Sequence, residues 1–194
     1  MKVKIDHQEL FPTPVFQIEL SNIDNRELEN GVYKIKENDK GIKLSNNGGW
    51  HSNPQSQELN IIFKPFIDEL IKVLPELPFE PKIKSLSNIN LWANINPKGS
   101  YNNSHNHPGC DISGVYYVKV PKGKCGNIAF NDPRESYAYG NRFFVDRYTK
   151  GETIPRYPVE GTMFLFPSCL HHEVSINETD EDRISLAFNL NIQD

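Results

Sequence analysis

Three histidines and an arginine carry the densest chemical information in this 194-residue chain. His105 and His107 sit in NSHNHPGCD, and His172 sits beside His171 in PSCLHHEVS. Residues two apart on an extended segment face the same way, so H-x-H sets both imidazoles on one side, close enough to share a metal. A third ligand from a distant strand can close such a site. Imidazole suits zinc, iron, nickel and copper, so ligand type alone does not choose the ion. In isolation an H-x-H pair is more often a polar loop. His171 and His172 are adjacent and face opposite sides of a strand, so both do not ligate. Cys110 and Cys169 lie close by in sequence, as soft ligands or, more commonly, as small buried thiols.

Eleven positions after His172 comes Arg183, followed by Ser185, at the start of a strongly patterned run. Ile184, Leu186, Phe188, Leu190 and Ile192 alternate with Ser185, Ala187, Asn189 and Asn191, which predicts a strand with one apolar and one small, polar face. Arg183 shares the polar face. Such a face with an arginine at its mouth suits a cavity for an anion. The commoner explanation, on pattern alone, is the solvent side of a half-buried sheet.

These residues need a scaffold, and the chain changes style near Pro75. Before it, helical patterns dominate. Asp24 caps a helix over 26–36, and Ser56 caps one over 57–74, where Leu59, Ile62, Phe63, Phe66, Ile67, Leu70, Ile71 and Leu74 recur at helical spacing. Pro65 kinks or splits the second. After Pro75, strand-like runs appear at 88–96, 113–120, 126–131, 162–166, 172–176 and 184–192, separated by Gly, Pro and Asn clusters. Many short strands with turn signals imply a mainly β sandwich or barrel. The stretch 132–160 is too long for a tight turn and rich in Tyr and Arg, as in a lid, a binding loop or an ordinary surface insertion.

Composition excludes several classes. Lys+Arg 21 against Asp+Glu 25 gives a net charge of −4, so nucleic acid is not an expected partner. No apolar run approaches the roughly 18 residues of a membrane span, and MKVKIDHQELF lacks the apolar stretch of a secretory signal. Three irregularly spaced cysteines make no disulfide framework and point to a reducing compartment. The length fits one domain, 1–194, divided into a helical support region (1–80) and a β core (81–194).

The order H-x-(D/H)…H…R-x-S resembles the Fe(II)/2-oxoglutarate-dependent dioxygenases, and most of all the 2OG-Fe(II) oxygenases of phages and bacteria. The resemblance is carried by LFPTP (10–14), GGWHS (48–52), LWANI (91–95), HNHPGCDISGVYYVKVP (105–121), FNDPR (130–134) and GTMFLFPSCLHHEVSINETDEDRISLAFN (161–189). It implies a double-stranded β-helix, or jelly roll, with N-terminal helices packed on the outer sheet and iron at one open end. His105 matches the first iron-binding histidine, His172 the distal one, Arg183 the receiver of the distal 2-oxoglutarate carboxylate, and Ser185 its hydroxyl partner. The usual carboxylate position is His107 here. Three arrangements stay open: an all-histidine triad of His105, His107 and His172, which is adopted; Asp111 as the carboxylate; or two protein ligands only.

By the same resemblance the chain is an enzyme using Fe(II), 2-oxoglutarate and O₂. It hydroxylates a peptidyl side chain or a small metabolite and releases succinate and CO₂. Trp92 and Asn94 share a strand face and can line the pocket. Tyr101, Ser104 and Tyr117 can bond 2-oxoglutarate or orient a ligand, and Trp50 and His51 can border the substrate entrance. Two rivals stand beside this. A cupin-like metal-dependent isomerase needs the histidines but not R-x-S, and a non-catalytic jelly-roll binding or structural protein needs neither. The expected setting is the cytoplasm of a bacterial cell or phage-infected host, with no membrane partner; a homodimer is open.

Overall fold

A computed structural model describes residues 12–54, 57–79, 82–134 and 153–193. The elements in chain order are β1 (Phe16–Glu19), α1 (Asn25–Asn38), β2 (Asn46–Asn47), β3 (Trp50–His51), α2 (Gln57–Ile62), α3 (Lys64–Val73), β4 (Leu86–Asn96), β5 (Tyr101–His105), β6 (Ile112–Lys119), β7 (Ile128–Asn131), β8 (Thr153–Arg156), β9 (Thr162–Pro167), β10 (His172–Val174) and β11 (Arg183–Ile192). A 3-10 turn, Leu74–Glu76, follows α3. The strands form a six-stranded sheet, β1-β9-β6-β11-β4-β3, and a five-stranded sheet, β2-β5-β10-β7-β8. All pairings are antiparallel. This is the jelly-roll architecture expected.

Period-two patterning sorts side chains between two cores. On β11, Ile184, Leu186, Phe188 and Leu190 face the helices and pack with Leu28, Val32, Ile35, Leu59, Phe63, Phe66 and Leu70. On β6, Tyr116 and Val118 join that layer, while Tyr117 points the other way, into a smaller cluster with Ile128, Phe130, Phe164 and Phe166 between the sheets. Gly114 is required there: a Cβ would collide with the Phe188 ring and Leu165. The N-terminal helices thus cover the outer face of the large sheet.

The helices form where local chemistry directs. Asp24 Oδ1 accepts from the backbone N–H groups of Arg26 (3.0 Å) and Glu27 (3.2 Å), an N-cap that satisfies two otherwise orphaned donors. The predicted helix 57–74 is two helices, because Pro65 supplies no N–H and restarts the helix at its own first turn. The predicted Ser56 cap lies outside the described residues. Of the predicted 132–160 loop, residues 135–152 also lie outside them, and Thr153–Arg156 is a strand paired with β7. No helix among the described residues is long and apolar enough to cross a membrane.

Candidate metal and anion site

The cluster forms because β5 and β10 are neighbours with His105 directly opposite His172. His107 lies past the end of β5, where its backbone N–H donates to Ser168 O (2.9 Å) and turns the chain back over the sheet. Ring centroids are 4.4 Å apart for His105–His172, 5.1 Å for His105–His107 and 5.2 Å for His107–His172. One nitrogen from each ring lies within 4.8 Å of the others, so the three could hold a metal ion.

Backbone carbonyls set two of the tautomers. His105 Nδ1 is 2.7 Å from Asn103 O, and His172 Nδ1 is 2.9 Å from Leu170 O. A carbonyl only accepts, so each Nδ1 carries the hydrogen and each Nε2 keeps its lone pair for the cavity. Burial keeps the rings neutral. Loss of hydration pushes His172 down to about 3 and His107 down to about 4, and it lowers His105 as well; the neighbouring imidazoles deepen the first two shifts. Neutral imidazole is the metal-binding form.

The cluster opens into a cavity of about 220 Å³ that also holds Asn94, Tyr117, Arg183 and Ser185. Arg183 is 2% exposed. Its Nη1 donates to Cys125 O (2.8 Å), while its buried Nε has no partner. No Asp or Glu is among the described residues that line the cavity. A buried guanidinium with a spare donor and no acid beside it fits an anion. Burial lowers the affinity of Arg183 for its proton and raises Tyr117 to about 12, so the phenol stays a neutral hydroxyl next to the guanidinium.

The predicted residues divide cleanly. His105, His107, His172, Arg183, Ser185, Tyr117, Asn94, Trp92 and His51 all line the cavity. Asp111 does not: its Oδ2 accepts from Ile192 N (2.8 Å), and its backbone exchanges bonds with Leu190 and Ser168, which fasten it to a sheet edge. Tyr101 is 39% exposed on β5, and the Ser104 hydroxyl accepts from Asn131 Nδ2 (3.2 Å) rather than reaching the cavity. Cys169 is exposed, against the expectation of a buried thiol, and neither it nor Cys110 joins the cluster. Trp50 is a packing anchor whose Nε1 donates to Asp39 O (2.9 Å). His171 is exposed, whereas His172 is buried.

Sequence reasoning missed the groups that shape the site. Gly126 has φ +90°, and a Cβ there would strike Arg183 Nη1 and Ser175 O, so glycine opens the berth of the guanidinium. Ser45 Oγ lies 3.5 Å from His105 Nε2 and accepts from Asn102 Nδ2 (3.3 Å). The glycine in KCGN was a readable turn signal. Ser45 and Asn102 carry no signal, since polar loop residues of their type are everywhere in this chain.

The cavity thus combines an imidazole cluster that could hold a metal with a buried arginine that has no described acid beside it and could meet an anion. The family model described as "Putative 2OG-Fe(II) oxygenase" matches residues 90–189, more than half of the chain. The chain belongs to that family, whose cofactors are Fe(II) and 2-oxoglutarate, and it is an oxidoreductase. A search of curated proteins gave no match. Among solved structures the chain is similar to a Pseudomonas putida prolyl-4-hydroxylase (TM-score 0.60, 14% identity, 94% of each chain covered). It is similar also to a Trichoplax adhaerens prolyl hydroxylase in complex with a peptide fragment of the hypoxia inducible factor oxygen degradation domain (TM-score 0.61, 13% identity, covering 91% of this chain and 83% of that one). A third is HygX from Streptomyces hygroscopicus with nickel and 2-oxoglutarate bound (TM-score 0.59, 13% identity, 92% and 83%). At these identities the likeness is one of fold.

Proposed function

We propose that residues 1–194 work as one hydroxylase domain, in which His105, His107 and His172 hold Fe(II) and Arg183 receives the distal carboxylate of 2-oxoglutarate. The observation that carries this is the convergence, in one cavity, of three neutral imidazoles and a buried arginine with an unpaired Nε. When bound, iron and 2-oxoglutarate supply O₂-dependent oxidation that ends in hydroxylated substrate, succinate and CO₂. The chain supplies the rest. Asn103 O and Leu170 O hold the Nε2 lone pairs of His105 and His172 toward the ion. Arg183, steadied by Cys125 O, offers Nε and its second terminal nitrogen to the carboxylate, with the Ser185 and Tyr117 hydroxyls beside it. Phe166 packs edge-on against His172, ring centroids 4.7 Å apart, and forms part of the cavity wall.

With His107 in the usual carboxylate position, the ligand set is neutral. The dianion then meets the full charge of the ion, which favours cosubstrate binding over what a mixed His/Asp set would give. A peptidyl side chain is the first substrate class and a small metabolite the second. Two of the similar structures are prolyl hydroxylases, one with a bound peptide fragment, which supports that order. An isomerase would need the histidines but not the buried Arg183.

The test is anaerobic addition of Fe(II), with and without 2-oxoglutarate, followed by visible absorption. Wild type gives a weak charge-transfer band that needs both. Arg183→Ala binds Fe(II) normally, but its 2-oxoglutarate affinity falls by about 10²-fold to several thousand-fold, from a loss of roughly 3–5 kcal/mol for one partner of a buried ion pair. Unchanged cosubstrate affinity in that variant rejects the assignment.

A further inference from the structure

One imidazole in the cavity wall is not used by this chemistry. His51 is 4% exposed and belongs to β3, a strand of only two residues that is nevertheless tightly fixed. Its carbonyl accepts from Ile42 N, and it pairs in register with Asn94. Just beyond it, Ser52 N donates to Ala93 O, and Ala93 N donates back to Ser52 Oγ (both 2.9 Å). On the other side Trp50 is tied to Asp39 O, and Asp39 Oδ2 accepts from Asn53 N (2.7 Å). Gly41, at φ +72°, passes so close that a Cβ would run into the Trp50 ring and the His51 carbonyl.

The ring itself has one orientation. It lies flat on Trp92, with centroids 5.4 Å apart and planes within 9°. His51 Nδ1 is 2.8 Å from Ser52 O, which can only accept, so Nδ1 holds the hydrogen and Nε2 is an acceptor. No described residue bonds Nε2, and the residue lines the same cavity as the three clustered histidines. Packing alone accounts for the stacked ring but leaves the Nε2 acceptor without a described partner.

We propose that His51 is a substrate-binding residue: its Nε2 accepts a hydrogen bond from an N–H or O–H group of the primary substrate, beside the histidine cluster. The inference rests on the oxygenase reading of the cavity. It narrows the substrate to molecules carrying a donor, amide or hydroxyl, near the reacting carbon. A substrate offering only apolar surface or acceptors there leaves a sheltered acceptor unpaired and is refused.

The test uses the full chain, labelled with ¹⁵N-histidine and loaded with Zn(II) and 2-oxoglutarate so that no turnover occurs. At neutral pH the His51 Nε2 resonance is that of an unprotonated ring nitrogen. Acetamide, the N–H donor probe, shifts it toward the hydrogen-bonded position, while N,N-dimethylacetamide does not. His51→Phe keeps a flat ring on Trp92 and retains Zn(II) and 2-oxoglutarate affinity, but binds acetamide about 2- to 10-fold more weakly, the worth of one neutral hydrogen bond. His51→Gln, with an acceptor carbonyl, regains part of the loss. A proton on Nε2, or equal responses to the two amides, overturns the proposal. Should wild type bind neither Zn(II) nor 2-oxoglutarate, the oxygenase assignment of these residues fails instead, and the amide comparison on the metal-free chain still decides the role of His51.

Discussion

On the large sheet, β11 runs beside β4 from Arg183 to Ile192, and its register slips only at the last pair. Its apolar face is sealed under helices, with Ile184, Leu186, Phe188 and Leu190 each 0% exposed. On the small sheet, β10 spans three residues, meets β5 at His172 and Val174, and has an irregularity between them. Its neighbour β5 reads YNNSH and is largely open to solvent. The cavity lies between these two kinds of wall. The arginine stands on the wall that the hydrophobic core makes rigid. Two of the three clustered imidazoles stand on the wall with little core behind it. The position of Arg183 is therefore built into the fold, whereas the imidazole cluster depends on local bonds: two carbonyls, a serine and the turn at Ser168.

Four perturbations break or sharpen this contrast. The largest effect belongs to the small sheet. His172→Ala removes metal binding, while His171→Ala leaves it intact, as read by Fe(II) or Co(II) titration; swapped outcomes mean that the assigned strand face is wrong. Next comes the large sheet. Phe188→Ala lowers unfolding free energy by about 3–5 kcal/mol in urea, toward the upper end because Gly114 beside it has no side chain to refill the space. A loss under about 1 kcal/mol denies that this sheet is the rigid half.

Gly126→Ala probes where the walls meet. The added methyl pushes on Arg183 and strains a positive φ. It weakens 2-oxoglutarate by about tenfold, the effect of roughly 1.4 kcal/mol, and spares the metal. Equal losses of both ligands mark general unfolding instead. Last comes pH dependence, read one pH unit at a time. The folded chain holds His172 near 3, against 6.5 for the ordinary group. The unfolded chain takes up a proton that the folded chain refuses, so metal-free stability falls as pH drops below 6.5 and levels off only near 3. The slope for this buried group approaches about 1.4 kcal/mol per pH unit. His107 adds less, because it is only half-buried and solvent screens it. Urea midpoints measured across this range show a shallower decline for His172→Ala.

The same contrast decides what the sequence disclosed. β11 was readable because one face is sealed, so alternation survives over ten residues, and Arg183 and Ser185 fall on the cavity side as the period requires. β5 was not readable. YNNSH has neither β-branched residues nor alternation, and it becomes a strand only through pairing with β2 and β10. Chemistry was legible in residue types, His, Arg and Trp, even where the strand was hidden. Asp111 was an open carboxylate because the tight HPG turn could swing it in, but a backbone N–H at Ile192 holds it elsewhere. The berth of Arg183 depends on a missing Cβ and a backbone carbonyl, and neither is visible as a residue type.

The pairing of His105 with His172 across one ladder has a consequence for how the chain is checked as it folds. β10 meets β5 at only two positions, and three pairs with β7 hold its alignment. A slip of one residue would turn His171 inward in place of His172. Ion uptake at the proposed triad would then report strand alignment. A misaligned fraction would keep both sheets and the same circular dichroism, yet remain silent in a metal titration, so the stoichiometry of binding counts correctly aligned molecules.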